Sequence, residues 1–232
     1  MSRILCVRHH LEDSPGLIGE AFRKRGHDVD VVMLDATSPT PRLAGYQYLV
    51  ILGSKHAVYD EVIEAAWFGR ELELLDEAEA TGVAVLGICF GAQALCRHHG
   101  GVVTRADEPE IGWYEVDVAA GVDLPRGPWF EYHYDHCTLP ATARVWARTA
   151  RAVQAFAIGV NVGVQFHPEI EEVQLAGWFD AGDDEPRDFD LDPAALLAET
   201  ARETPAARER AGQLVDLFLA HAAAQRASSA PS

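Results

Sequence analysis

The sequence is short of basic residues. Against 36 Asp and Glu there are 19 Lys and Arg, a formal net charge of −17 over 232 residues. Such a surface repels phosphate backbones, so neither nucleic acid nor an anionic membrane is an expected partner. No apolar run reaches membrane-spanning length. The chain opens directly on a strand-like run, Ile4 to Val7, without a basic-then-apolar leader. Both absences predict a cytoplasmic protein. The 4 cysteines (Cys6, Cys89, Cys96 and Cys137) form no Cys-x-x-Cys pair and no zinc spacing, so no metal framework is expected and no cofactor is implied. Internal repeats, interdomain linkers and a phosphate-cradling Gly-rich loop are also missing. What is left is one α/β domain over residues 1–222, with an Ala/Ser-rich tail over 223–232 expected to be disordered.

One stretch organises the rest. Val83 to Ile88 is an apolar run that ends in Gly87-Ile88-Cys89-Phe90-Gly91, and a helix-compatible run follows from Ala92 to His98. This pattern is a nucleophile elbow with sulfur in place of oxygen. Gly87 and Gly91 leave the room a sharp strand-to-helix turn needs. The helix N-terminus then points at Cys89 and favours thiolate. By itself the pentapeptide also fits a buried Cys at a tight turn. Cys6, Cys96 and Cys137 lie in apolar or mixed segments and read as small buried fillers.

A second stretch, Val162-Gly163-Val164-Gln165-Phe166-His167-Pro168-Glu169, ends another apolar strand in polar groups. A thiol nucleophile needs a base, and the base needs a group that orients it. Cys89, His167 and Glu169 can supply all of these from separate strand ends. Together the two stretches resemble the class I glutamine amidotransferase family, over most of residues 3–180. The free-standing members similar to the glutaminase domain of GMP synthase are the nearest in pattern. The resemblance implies an open, mostly parallel (mixed) sheet flanked by helices, of flavodoxin-like architecture. It also implies hydrolysis of the γ-amide of glutamine through a Cys89 thioester, with ammonia passed to a separate synthase subunit.

The same resemblance extends to further residues. Backbone N–H groups of Gly53 and Phe90 would face the oxyanion, and Gln93 would contact substrate. The strand end Leu52-Gly53-Ser54-Lys55 departs from the family's Gly-Gly-Pro-x-Ser, with Ser54 and Lys55 replacing the second Gly and the Pro. His133 and Asp135 match a His-Gly-Asp-like run that meets bound glutamine, but Tyr134 stands where Gly or Ser is expected. We expect its ring to turn away from the pocket. Glu110-Ile111-Gly112-Trp113 also resembles a run of free-standing members. A stand-alone hydrolase of γ-glutamyl amides is the alternative reading, and a non-catalytic binding module on the same scaffold is a second. A thiol-dependent flavodoxin-like chaperone or peptidase would share the elbow but has no need of His167-Pro168-Glu169.

Elsewhere, Val29 to Leu34 and Tyr48 to Leu52 read as strands. Glu61 to Ala80 reads as one long amphipathic helix. Val102-Val103 and Trp113 to Val118 read as short strands. Leu214, Leu217 and Phe218 lie on the stripe of a last helix. His9 and His10, after the first strand, suit a solvated or substrate-lining loop, or metal ligation. His98 and His99 suit a helix C-terminus. Asp180 to Asp192 is an acidic loop, with a cation site as the less favoured reading.

Overall fold

The computed structural model describes residues 2–182, 189 and 191–229. Its centre is an 8-stranded sheet in the order β2-β1-β3-β4-β10-β9-β8-β6. β1 (Arg3–Arg8), β2 (Asp28–Met33), β3 (Tyr48–Ile51), β4 (Ala84–Ile88) and β10 (Asn161–Val164) run parallel. β9 (Val153–Ile158), β8 (Arg144–Arg148) and β6 (Asp117–Val118) continue it antiparallel. This is the mixed, mostly parallel architecture the sequence implies.

The apolar strands are buried on both faces, and the period of two divides them between two cores. Ile4 and Cys6 of β1, with Leu86 and Ile88 of β4, face one core. Leu5, Val7 and Val85 face the other. The first core is covered by α1 (Gly16–Lys24) and by α6 (Pro193–Ser229), which bring in Leu17, Phe22, Leu214 and Phe218. The second is covered by α3 (Gly69–Thr81) and α4 (Phe90–His98).

Three elements differ from the sequence expectation. The helix expected over 61–80 starts as α2 (Glu61–Ile63), capped by Asp60, passes through a π-helical turn (Glu64–Phe68), and only then becomes α3. β5 (Val102–Tyr114) is one long strand rather than two short pieces, paired antiparallel with β7 (Trp129–Thr138) in a separate 2-stranded sheet. The ladder shifts register between Arg105 and Glu110, and this irregularity takes up the charged, Pro109-containing run that reads as a break.

The third difference is the tail. A disordered segment is expected from residue 223, yet α6 stays helical through Ser229. Arg226 donates to the carbonyl oxygens of Gly82 and Gln47, which ties this end to the main sheet's edge loops. Two carbonyl partners far along the chain outweigh an Ala/Ser-rich composition. In the acidic stretch, residues 183–188 and 190 lie outside the described residues.

Candidate active site

Cys89 follows β4 and opens α4. Its backbone (φ 50°, ψ −105°) makes it the one non-glycine residue with positive φ among the described residues. That geometry costs on the order of 1–3 kcal/mol, so the surroundings must enforce it. They do so by close approach. A Cβ on Gly87 would lie 2.4 Å from the Gly91 carbonyl oxygen, and one on Gly91 would lie 2.3 Å from that of Ile51. The Cys89 N–H donates to the Val164 carbonyl at 2.8 Å, which fastens the turn to β10.

β10 lies beside β4, pairing Leu86 with Val162 and Ile88 with Val164. Beyond its end comes His167, whose N–H donates to the Phe130 carbonyl at 2.7 Å. Nδ1 of His167 lies 2.7 Å from Oε1 of Glu169, with both side chains at most 4% exposed. A carboxylate accepts, so Nδ1 carries the proton and the neutral ring has its lone pair on Nε2. Nε2 is buried and makes no hydrogen bond of ordinary geometry among the described residues. Burial acts to lower the His167 pKa, but the charges of Glu169 and then Cys89 lift it well above the usual histidine range. The Trp178 ring, carried on α5 (Glu172–Asp180), packs edge-on against the imidazole at 5.2 Å.

Gly53, just beyond β3, closes the other side. A Cβ there would lie 2.9 Å from Cε1 of His167 and 3.7 Å from Cβ of Cys89. The Phe90 N–H belongs to the first turn of α4, where N–H groups lack helical acceptors. Gln93 is buried, and its Nε2 donates to Oε1 of Gln165 at 3.2 Å. Cys89, His167, Gly53 and Gln93 line one cleft of about 340 Å³, together with Arg105, Tyr132, His133, Tyr134 and Asp135, while Glu169 and Phe90 sit just behind its wall. The sequence candidates are therefore brought together.

Their side chains are not all free to meet a ligand. His133 turns into a buried cluster: Nδ1 faces the Asp135 carbonyl at 2.9 Å, and Nε2 lies 3.3 Å from Glu131 and 3.4 Å from Glu110. Burial opposes the charge, yet bonds to Glu110 and Glu131 push its pKa up to about 10. Asp135 accepts from the Tyr59 hydroxyl at 2.9 Å. Tyr134 does not turn away from the cleft. It lines the cleft, with the Arg105 guanidinium 5.0 Å over its ring and Phe189 at 5.6 Å. The backbone pairing of Arg105 with Asp135 holds the cation there.

Sequence reading missed Glu71, Glu131 and Trp178. Glu71 did leave a signal: it stands in line with Phe68, Leu75 and Ala78 on the apolar stripe, and it is fully buried. Nor do His9 and His10 act together, since the His9 ring turns inward and His10 stays exposed. Among the described residues, the one group of side chains spaced to share a metal ion is Glu79, His98 and His99, none of which lines the cleft. No helix among the described residues is long and apolar enough to cross a membrane.

The family model for glutamine amidotransferase class-I matches residues 16–174. A glutamine-hydrolyzing GMP synthase subunit from Saccharolobus solfataricus is 29% identical over 167 residues, 68% of this chain and 85% of that protein. The γ-glutamyl-L-1-hydroxyisopropylamide hydrolase of a Pseudomonas species is 30% identical over 200 residues, 78% of this chain and 63% of that protein. Against a single-chain GMP synthase from Chlorobaculum tepidum the match spans 31% of that protein's length. A crystal structure of a glutamine amidotransferase from Thermotoga maritima superposes with a TM-score of 0.82 at 28% identity, covering 94% of this chain and 98% of that one. The chain belongs to the class-I glutamine amidotransferase family.

Proposed function

We propose that Cys89, His167 and Glu169 form a hydrolytic triad acting on the γ-amide of glutamine. The observation that carries this reading is the 2.7 Å contact of His167 with Glu169, buried beside a cysteine held at positive φ. The Cys89 thiolate attacks the γ-carbonyl carbon, and backbone N–H groups beside it receive the negative oxygen. His167 gives its Nε2 proton to the departing amine, leaving a γ-glutamyl thioester on sulfur. The same nitrogen then takes a proton from water, which attacks the thioester and releases glutamate. Glu169 keeps Nδ1 protonated and offsets the charge of the imidazolium.

Ammonia made this way would serve a separate synthase, and the likeness to a GMP synthase subunit supports that reading. All 4 cysteines are free thiols, which suits a reducing compartment such as the cytoplasm. The direct test is to trap the thioester with hydroxylamine. Glutamine plus wild-type protein should yield γ-glutamyl hydroxamate, and Cys89→Ser protein should yield none. Hydroxamate formation by both, or by neither with any γ-glutamyl amide, ends this reading.

A second reading is favoured by Tyr134. Ammonia as leaving group needs almost no room, yet the cleft is walled by Tyr134, Tyr132 and Trp178. Such a wall suits an amide bearing a carbon substituent on nitrogen, as in the substrate named for the Pseudomonas relative. Comparing glutamine with γ-glutamyl methylamide and γ-glutamyl isopropylamide separates the two readings.

A further inference from the structure

A further buried His–Glu pair adjoins the cleft. The His9 side chain is 2% exposed and that of Glu71 is 0% exposed. Nε2 of His9 meets Oε2 of Glu71 at 2.6 Å, while Nδ1 meets the Gly53 carbonyl oxygen at 2.9 Å. A carbonyl only accepts, so Nδ1 carries a proton and donates it to Gly53. The ring is wedged against Phe90 at 5.1 Å and Trp67 at 4.8 Å. His9 therefore touches both Gly53 and Phe90, the two residues whose backbone borders the thiol. Burial acts to lower the His9 pKa, but Glu71 and the Gly53 carbonyl more than reverse this, and the balance is upward.

We propose that His9 is a positioning residue: it holds the Gly53–Ser54 peptide by its carbonyl, so that the Ser54 N–H serves with the Phe90 N–H as oxyanion donor. The inference rests on the hydrolytic reading above. In a planar trans peptide the carbonyl and the following N–H point in opposite directions. The one cis bond among the described residues is Gly127–Pro128, so Gly53–Ser54 is trans. With the Gly53 oxygen held on the His9 ring, the Ser54 N–H points the opposite way, away from His9, and Ser54 lines the same cleft as Cys89 and His167. A hydrogen bond from a ring paired with a carboxylate also polarises that peptide, which makes its N–H a stronger donor. A buried His–Glu pair is a poor source of stability by itself, so its value here lies in what it holds. The donor thus moves by one residue, from Gly53 to Ser54, the position where this chain departs from the family's second Gly.

The test compares two variants of like shape. His9→Asn keeps a donor near the place of Nδ1, and His9→Leu does not. With glutamine and γ-glutamyl methylamide as substrates, His9→Leu should lower kcat by roughly 100-fold, the loss expected for one oxyanion donor. KM should stay within about threefold, and His9→Asn should recover at least about tenfold of the lost rate. The rate of Cys89 alkylation by iodoacetamide, which forms no oxyanion, should match wild type in both. Equal kcat in the two variants, or a matching loss in alkylation, overturns the proposal. If His9→Leu fails to fold because Glu71 is left unpaired, the double variant His9→Leu/Glu71→Met replaces it. Wild-type kcat in a folded double variant overturns the proposal equally. Wild-type protein that hydrolyses neither substrate instead overturns the hydrolytic reading, and this inference falls with it.

Discussion

Gly53 meets the edge of the His167 ring so closely that a methyl group on its Cα would lie 2.9 Å from Cε1. The loop after β3 and the imidazole after β10 leave no room between them for a side chain.

Gly53→Ala should therefore act on the imidazole. We expect kcat to fall by about 100-fold with KM little changed, the order of loss that follows displacement of a reacting group by about 1 Å. Steady-state kinetics beside a thermal unfolding curve would check this. Full activity in a folded variant would mean that the loop, not the ring, gives way.

Cys89→Ala should abolish amide hydrolysis while the fold persists, because water has no way to replace the sulfur nucleophile. A glutamine-analogue electrophile such as a diazoketone should label Cys89 and leave the buried Cys6, Cys96 and Cys137 unmodified, as read by peptide mass spectrometry. Absent labelling in a folded protein would favour the non-catalytic binding module.

Glu169→Gln should cost less than His167→Ala. Loss of the proton-transferring group is worth about a hundredfold to ten-thousandfold, whereas Gln still accepts from Nδ1. Equal losses would show that the Glu169 carboxylate does more than orient the ring.

Tyr134→Gly should change selectivity. If the ring contacts the amine substituent, the specificity constant for γ-glutamyl isopropylamide relative to glutamine should fall roughly tenfold, about 1.4 kcal/mol. Parallel changes on both substrates would confine Tyr134 to packing against Arg105.

His133 makes stability depend on pH. Its folded pKa of about 10 lies above the ordinary 6.5. The stability from its proton is full below about 6.5 and is lost as pH rises through about 10. Urea unfolding free energies should fall over that interval. The fall should be shallower in His133→Gln, since Glu110, Glu131 and Gln154 then face a group that does not titrate. Identical slopes would place the proton elsewhere.

What could be read in the sequence was whatever short-range pattern dictates. Gly87, Cys89 and Gly91 declare their turn because the turn admits few residues, and His167 with Glu169 sits within a single strand end. Glu71 and Glu131 could not be placed in this way. Glu71 is buried by a contact far along the chain, with His9, and Glu131 meets His133, which also meets Glu110 on the paired strand β5. Tyr134 misled for a related reason, since what keeps its ring at the cleft is a cation from the neighbouring strand. The helical end at residues 223–229 was hidden because Arg226 finds its acceptors at Gln47 and Gly82, far back in the sequence.

β4 and β10 are neighbours in one ladder, and Cys89 and His167 lie just beyond their C-terminal ends. The proposed nucleophile and base are thus anchored directly to the ends of two central strands, the part of a fold that opens last. Heating or denaturant should leave turnover intact until the central sheet itself gives way. Catalysis then reports the integrity of the whole domain, and adaptation to new substrates is left to the cleft wall of Tyr134, Arg105 and Trp178.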